Sequence, residues 1–361
     1  MSQRSPLRIA HICSASHMAY GASISCVTLA EQQRLDGHDI VFVVDPERRF
    51  REDVQSRGFR IHDVPIRGKF DLRAIRLIAD YLMLAGIDLM HTHLSEGTLI
   101  GARAARRAKV PVVSTVHGLN LRWSYAFSDR LITVSEAARK HLLRQGVAEH
   151  KVVAVHNALP WGWKPSPLSR ERARRDLGLD PAEFLIVNVG RPSRQKGVDV
   201  AIRAFAVLAK DCPTARLLLV GDSKEKMRME ILAARLKVLP QVRFVGFRED
   251  VPTWLRAADV FFFPSRSEAM GIALLEAMAS ELPIVASNVG GIPEVVTADV
   301  GSTHPLNDTE GMARSLRTLL TDNAMRNRMG RAGPTRVSTE FSHERQASRV
   351  DAIYRELLSR P

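Results

Sequence analysis

The sequence predicts an α/β protein with two Rossmann-like, doubly wound parallel-sheet domains. Short runs rich in Val, Ile and Leu alternate with segments of helical period along the chain, and strands that are buried on both faces and separated by helices are typical of parallel sheets. At 361 residues the chain also exceeds what one ordinary hydrophobic core accommodates. A proline-rich stretch, residues 160–167, interrupts both periods and is interpreted as a linker.

The individual elements follow from the positions of the apolar runs. Candidate strands of the first domain are residues 8–13, 40–44, 60–64, 89–93, 112–117, 131–134 and 152–155, with helical segments at 23–35, 72–85 and 96–108. After a helix at 170–177, candidate strands of the second domain are residues 185–189, 216–221, 242–247, 260–264 and 284–287. The predicted domains are residues 1–160 and 168–340, with a cleft between them, and residues 341–358 form an amphipathic helix.

Composition narrows the class of protein. Hydrophobic residues make up 45% and charged residues 25%, as in soluble globular proteins. No apolar run approaches the about 20 residues that span a bilayer, and the N-terminus has no signal-peptide pattern, so we expect a cytoplasmic protein. Three widely spaced cysteines without a C-x-x-C pattern argue against a disulfide framework or a zinc site.

The net charge of +13 favours an anionic partner, such as nucleic acid, anionic lipid or a phosphorylated substrate. Aromatic residues make up only 6%, and no RNA-binding aromatic motif or zinc finger is present, so nucleic acid is disfavoured as a partner. Neither domain has G-x-G-x-x-G after its first strand, which removes most of the support for an NAD-dependent dehydrogenase.

Two cations follow the first strand of the second domain. Arg191 and Lys196 lie in the turn from Gly190 to Gly197, directly before a helix. Because ligands of open parallel sheets bind at the carboxyl ends of the strands, this turn suits a pyrophosphate. A solvated basic turn would have the same sequence.

Two glutamates lie eight positions apart later in the same domain. Glu268 falls in the loop after a strand, and Glu276 about one turn into the following helix. Between them, the backbone N–H groups of Met270, Gly271 and Ile272 are predicted at a helix N-terminus, which favours an anion. A carboxylate accepts hydrogen bonds from two adjacent hydroxyl groups, as on ribose or a hexose, although two unrelated surface acids would fit the spacing alone.

Together with residues 277–296, this segment resembles the retaining glycosyltransferases of family 4, whose hallmark is E-x7-E followed by L-E-A-M-A-x-G-x-P-V-V-A-x-x-x-G-G-x-P-E. The resemblance covers essentially the whole chain and includes residues 131–136, 190–197, 220–222, 245–247 and 257–259. It implies the GT-B fold, with an acceptor-side first domain and a donor-binding second domain. It also implies that the C-terminal helix, residues 341–361, packs back on the first domain.

The resemblance further implies roles for individual residues. Glu276 would hold the ribose hydroxyl groups and Glu268 the donor sugar, while Arg191 and Lys196 would neutralise the departing diphosphate in place of a metal ion. His117, at a strand end, would orient the donor sugar. The candidate catalytic residues are His117, Arg191, Lys196 and Glu268. The candidate donor-binding residues are Gly21, Arg191, Lys196, Gly246, Phe247, Glu268, Met270, Gly271, Ile272, Leu275 and Glu276.

The first domain departs from the family pattern where Gly-Gly is usual, since only Gly21 of residues 19–23 matches. Tyr20 in this segment, and His93 at a predicted strand end, are candidate acceptor-side residues. Ala269 stands where Gly-Phe would follow the first glutamate and concerns the fit of the sugar. Glu281 stands where glycine is usual and is expected to affect local stability.

These features predict a hexosyltransferase that retains the configuration of the sugar. No carboxylate at glycosidase-like spacing supports a double displacement, so the acceptor hydroxyl group is expected to attack on the side from which the nucleotide diphosphate leaves. No metal-ligand set is apparent, and no cofactor is expected besides the nucleotide-diphosphate-sugar donor. A sugar-nucleotide epimerase of the same fold and a non-catalytic nucleotide-sugar-binding protein are the alternatives.

The acceptor is indicated only by basic helices in residues 67–76 and 103–109 of the first domain. The first of these helices is predicted to have an apolar face formed by Leu72, Ile75, Ile78 and Leu82. Such a surface suits an acceptor glycan or lipid-linked glycan at an anionic membrane, as in bacterial polysaccharide or lipopolysaccharide synthesis on the inner face of the cytoplasmic membrane. A solvated basic face would have the same sequence.

Overall fold

The computed structural model describes residues 5–18, 21–119, 122–191, 193–222 and 224–359. The chain forms two compact units. The first unit comprises Met1–Trp161 and Phe341–Pro361, and the second comprises Gly162–Glu340. Each unit is built on one parallel sheet, and helices connect the strands. The predicted fold class of two Rossmann-like parallel-sheet units is confirmed.

The strands of the first unit are β1 (Arg8–Cys13), β2 (Asp39–Val44), β3 (Arg60–Asp63), β4 (Leu89–His93), β5 (Val112–Val116), β6 (Arg130–Thr133) and β7 (Val152–Ala154). Its helices before the unit boundary are α1 (Gly21–Leu35), α2 (Phe50–Gln55), α3 (Leu72–Leu84), α4 (Ser95–Ala108) and α5 (Glu136–Arg144). The strand order is β3-β2-β1-β4-β5-β6-β7, so the winding direction reverses between β1 and β4. Ligands of doubly wound sheets bind at such a switch point.

The strands of the second unit are β8 (Phe184–Val189), β9 (Ala215–Val220), β10 (Val242–Gly246), β11 (Val260–Phe263), β12 (Ile284–Ser287) and β13 (Gly301–His304). Its helices are α6 (Arg170–Asp176), α7 (Val198–Ala209), α8 (Lys226–Arg235), α9 (Val251–Ala257), α10 (Ile272–Ala279), α11 (Ile292–Val295), α12 (Thr309–Thr321) and α13 (Asn323–Glu340). The strand order is β10-β9-β8-β11-β12-β13, which places the switch point between β8 and β11.

The start of α3 shows how local sequence sets a helix face. The Asp71 carboxylate accepts hydrogen bonds from the backbone N–H groups of Arg73 and Ala74, both at 3.0 Å, which is a typical N-cap. Ile78 is then fully buried, whereas Leu72 is 75% exposed. The predicted apolar face is therefore divided: Ile75, Ile78 and Leu82 pack in the core, whereas Leu72 is exposed because the core does not cover the first turn of the helix.

Two short elements, α2 and β13, lacked a sequence signal. Residues 301–304 of β13 contain no apolar run, and the strand is defined by its pairing with β12, where Gly301 lies opposite Ile284. A Cβ on Gly301 would lie 2.2 Å from the Ile284 carbonyl oxygen, so only glycine permits this approach. Whether such a short segment forms a strand depends on the neighbouring strand with which it pairs, and not on its own sequence.

The C-terminal helix, His343–Leu358, packs in the first unit. Its side chains Val350 and Tyr354 are buried in the same hydrophobic cluster as Ile9 of β1 and Phe42 of β2. Across the described residues, no helix combines the length and the apolarity that crossing a bilayer requires.

Candidate functional site

Three glycines bring the carboxyl ends of β8, β9 and β10 close together. Gly190, Gly221 and Gly246 have φ angles of 149°, 138° and 82°. A Cβ on Gly221 would lie 2.1 Å from the Gly190 carbonyl oxygen, and the Gly221 N–H group donates to the Gly246 carbonyl oxygen at 2.8 Å. Glycine permits both the positive φ and the close approach. As a result, the exposed residues Arg191 and Phe247 follow these strands at the same edge of the sheet.

Lys196 and Glu268 form an ion pair where the loops after β8 and β11 meet. The Lys196 Nζ donates to Oε2 of Glu268 at 2.5 Å, with the side chains 23% and 15% exposed. The two residues are predicted to bind different parts of one ligand, the diphosphate and the sugar. They lie in contact at the switch point of the sheet, the position at which doubly wound sheets bind ligands.

Backbone contacts hold these two loops together. Gly197 has a φ of 65°, and a Cβ on it would lie 1.8 Å from the Pro264 carbonyl oxygen. The Arg266 backbone N–H group donates to the Gln195 carbonyl oxygen at 2.9 Å. Because the approach leaves no room for a side chain, the glycine is what allows Lys196 to reach Glu268.

Arg266 and Asp199 fix the same loop through their side chains, and the sequence analysis did not identify them. The Arg266 guanidinium donates to both carboxylate oxygens of Asp199, at 2.5 and 2.8 Å, in a bidentate pair. It also donates to the Arg194 carbonyl oxygen at 3.1 Å. An arginine is visible in the sequence of the Glu268 loop, but a single sequence does not show that it pairs with an aspartate of α7.

Glu276 lies in α10 and differs from Glu268 in its surroundings. Among the described residues, its carboxylate has no ionic or hydrogen-bonded partner, and burial raises its pKa to about 7. A desolvated carboxylate without a partner is costly unless hydrogen-bond donors reach it. Two adjacent hydroxyl groups of a ligand would supply such donors.

The N-terminus of α10 supplies backbone groups. The helix begins at Ile272, after Gly271 with a φ of 95°, so the N–H groups of Ile272 and Ala273 have no partner within the helix, whereas the Leu274 N–H group donates to the Gly271 carbonyl oxygen at 3.0 Å. The side chain of Leu275 is fully buried. Leu275 stays a predicted donor-binding residue, and because its side chain packs in the core, such a contact would come from its backbone. Glu281, just after this helix, has a φ of 61°, a strained angle for a residue other than glycine.

The predicted residues of the first unit lie around β4 and β5. His117 follows β5, with its Nε2 3.0 Å from Nδ1 of His93, and burial lowers the pKa of His117 to about 4. His93 is 1% exposed, and its Nε2 contacts His11 at 3.2 Å. Direct acceptor contact by His93 is not supported, because both of its ring nitrogens are occupied inside the unit. Gly21 begins α1 and is exposed, and Tyr20 lies outside the described residues.

Comparison with known proteins gives the family. The family model "Glycosyl transferases group 1" matches residues 169–336, and "Glycosyltransferase Family 4" matches residues 19–160. A D-inositol 3-phosphate glycosyltransferase of Corynebacterium kroppenstedtii is 31% identical over 306 residues, which cover 75% of this chain and 67% of the relative. The chain belongs to glycosyltransferase family 4.

Two further similarities extend over nearly the whole enzyme. The N-acetyl-alpha-D-glucosaminyl L-malate synthase of Bacillus anthracis is 26% identical over 370 residues, which cover 94% of each chain. The structure of Anabaena HepE in complex with UDP and glucose matches with a TM-score of 0.83 at 22% identity, over 96% of this chain and 99% of the other. The glycosyltransferase therefore has the GT-B fold. It transfers a sugar from a nucleotide-sugar donor, so the epimerase and the non-catalytic protein are set aside.

Replacement of Gly197 by alanine should separate the two loops. We expect Gly197→Ala to lower the free energy of unfolding of the second unit by clearly more than Gly178→Ala, which is the matched control. The control residue has a φ of 63°, close to the 65° of Gly197, but open space around its Cβ position. The control should therefore cost only the backbone strain of about 1–2 kcal/mol. If denaturant titrations show the same decrease in the free energy of unfolding for both variants, a tight contact of Gly197 with Pro264 is contradicted.

The raised pKa of Glu276 predicts a pH-dependent stability. The carboxyl group has a pKa of about 7 in the folded protein and an ordinary value of 4.5, so the carboxylate destabilises the fold increasingly as the pH rises from 4.5 to 7. Without ligand, Glu276→Gln should therefore melt a few degrees above the wild type at pH 8 and at the same temperature near pH 4.5. Glu310→Gln, at an exposed residue, should show no such difference. If the wild type and Glu276→Gln have the same melting curve at pH 8, the raised pKa of Glu276 is refuted.

Proposed function

We propose that the enzyme is a retaining, metal-independent hexosyltransferase whose second unit binds a nucleotide-diphosphate-sugar. The observation that supports this most is the contact between Lys196 and Glu268 at the switch point, with the desolvated Glu276 on the following helix. A cation, a carboxylate for the sugar and a second carboxylate for ribose are the groups that such a donor requires.

Charge balance supports the assignment of the diphosphate to this unit. Arg191 and Lys196 carry two positive charges, of which the Glu268 carboxylate offsets one. With a pKa of about 7, Glu276 is partly protonated at neutral pH and adds less negative charge than an ordinary glutamate. Both cations are groups that can pair with an arriving diphosphate, and ribose hydroxyl groups would then stabilise the ionised form of Glu276.

In the proposed reaction, the bond between the sugar C1 and the diphosphate oxygen breaks, and its electron pair stays on the phosphate. Arg191 and Lys196 stabilise the charge that develops there. The acceptor oxygen forms the new bond to C1 on the same face, and its proton passes to the leaving phosphate. Glu268 binds the donor sugar in the second unit, His117 binds a sugar hydroxyl group in the first unit, and the chain supplies the cationic groups for which other transferases use a divalent ion.

Loss of a leaving-group contact should appear in turnover. After titration with UDP-, GDP- and ADP-sugars has identified the donor, Arg191→Ala should lower kcat by about 100–1000-fold, the scale for one preorganised transition-state contact. Arg228→Ala, at an exposed residue of α8, is the control and should change kcat little. All assays contain excess EDTA. Normal turnover of Arg191→Ala, or loss of wild-type turnover in EDTA that magnesium restores, would refute the proposed role of the cations.

We further propose that the acceptor is a glycan or lipid-linked glycan at an anionic membrane. Basic and apolar side chains share one surface at the start of α3, which we term the basic–apolar face and define as Lys69, Phe70, Leu72, Arg73, Arg76 and Leu77. Its three apolar members are 67%, 75% and 41% exposed. Exposed apolar groups ringed by cations are typical of surfaces that contact anionic lipid.

The basic–apolar face predicts salt-sensitive membrane binding. Each basic side chain near an anionic leaflet contributes about 1 kcal/mol, and salt screens it within roughly 8–10 Å. Flotation with phosphatidylserine-containing vesicles should therefore recover the wild type at low salt, and not the double variant Arg73→Glu/Arg76→Glu. The double variant should keep its donor affinity, and Arg228→Glu should still float.

A wild type that stays free of these vesicles at low salt would refute the membrane proposal. In that case a small anionic soluble acceptor is favoured, because two relatives are named for L-malate and for inositol 3-phosphate. The net charge of +13 fits such an acceptor as well. Turnover with these two compounds would then identify the acceptor class.

A further inference from the structure

Three histidines of the first unit, His11, His93 and His117, form a hydrogen-bonded row that the proposed reaction does not explain, and a fourth, His91, stacks on His93. His11 in β1 and His91 and His93 in β4 are at most 1% exposed, and His117 follows β5. These strands lie side by side at the switch point of the sheet, in the order β1-β4-β5. The row ends at Gln33 of α1, which is also buried.

The amide of Gln33 gives the row a direction. Its Nε2 donates to Oη of Tyr354 at 3.1 Å, so its Oε1 accepts from Nε2–H of His11 at 2.9 Å. A neutral His11 then has a bare Nδ1, which accepts from Nε2–H of His93 at 3.2 Å. His93 Nδ1 accepts in turn from Nε2–H of His117 at 3.0 Å. The Nδ1 of His117 is therefore left as an acceptor, and it is buried without a hydrogen-bond partner among the described residues.

Tyr354 anchors this direction from the C-terminal helix. Its hydroxyl group accepts from Gln33 and donates to Nδ1 of His91. The Nε2–H of His91 then donates to Oγ1 of Thr115 at 2.7 Å. The reverse direction would need the Gln33 amide turned over and a proton moved in every ring. It would leave each ring as the Nδ1–H tautomer, which neutral imidazole intrinsically favours less.

The row is consistent only with neutral rings. Burial lowers the pKa of His11 and of His117 to about 4, and those of His91 and His93 well below the ordinary value. The side chains of His11, His91 and His93 also lie close enough to hold a metal ion. A bound metal would take the ring lone pairs that accept the hydrogen bonds of the row, so the two arrangements exclude each other.

We propose that Gln33, His11 and His93 are positioning residues that hold His117 as its Nε2–H tautomer, so that Nδ1 accepts a hydrogen bond from a hydroxyl group of the sugar substrate. The tautomer rests on contacts within the first unit alone. The hydroxyl partner rests on the role that the proposed function gives to His117. A residue restricted to accepting selects a hydroxyl group and disfavours a carbonyl or ether oxygen at the same position.

The tautomer is measurable in the free protein. In the wild type labelled with ¹⁵N-histidine, two-bond ¹H–¹⁵N spectra at pH 7.5 should show His117, His93 and His11 as single neutral Nε2–H tautomers. The signals are assigned by their loss in His117→Asn, His93→Asn and His11→Asn. An Nδ1–H tautomer or a charged ring at His117, or one equivalent of metal by elemental analysis, would overturn the proposal.

Conservative variants distinguish positioning from packing. The carboxylate introduced by Gln33→Glu would still accept from Nε2–H of His11, so this variant should keep the His117 tautomer, whereas Gln33→Leu should give mixed tautomers along the row. The Asn Oδ1 replaces the ring Nδ1, so His93→Asn should keep the His117 tautomer and His93→Leu should lose it. Unchanged spectra in both leucine variants would overturn the proposal. If the two leucine variants do not fold, the His117 tautomer in the wild type, Gln33→Glu and His93→Asn still tests the proposal.

Turnover separates this inference from the proposed function. With the donor selected by titration, His117→Leu should lower kcat/KM by about tenfold or more, the cost of one lost buried hydrogen bond, and His117→Asn by less. Normal turnover of His117→Leu with the Nε2–H tautomer intact would remove the substrate contact and leave the positioning row standing. If the wild type instead shows another His117 tautomer and His117→Leu loses much of its kcat/KM, the substrate contact stands and the positioning row is overturned.

Discussion

The proposed donor site depends on the contact of Gly197 with the carbonyl oxygen of Pro264. A Cβ would lie 1.8 Å from that oxygen, so this approach of the β8 and β11 loops exists only with glycine. The neighbouring side chains, Lys196 and Glu268, meet as a consequence. The bidentate pair of Arg266 and Asp199 then fixes one loop to the helix that follows the other, so the ion pair is held from both sides.

The two units use burial in opposite ways. In the second unit, charges lie at the switch point: Lys196 and Glu268 offset each other, and Glu276 has its pKa raised to about 7 because it has no such partner among the described residues. In the first unit, the switch point holds His11 and His93, whose rings burial keeps neutral. A charged site suits an anionic diphosphate, whereas neutral rings present directed hydrogen-bonding groups.

Much of the fold was predictable because it depends on local sequence. Parallel strands buried on both faces appear as apolar runs, and the boundaries of the predicted strands differ from the observed ones by at most one residue. Lys196 and Glu268 were identified because glycines and strand ends mark their loops. The burial of His93, the packing of Leu275 and the pairing of Arg266 with Asp199 were not predictable, because each depends on residues brought together from distant segments. The short strand β13 lacked a signal for the same reason.

The acceptor is least constrained by the sequence because the fold does not require its binding surface. Buried residues such as Ile78 are fixed by packing, and their pattern is readable. Phe70 and Leu72 are 67% and 75% exposed, so polar residues there would leave the core unchanged. Exposed apolar side chains that lie together are typical of surfaces that bind a partner. Their exposure beside Arg73 and Arg76 is not needed for folding, and it is the observation on which the proposed partner, one that is both apolar and anionic, depends.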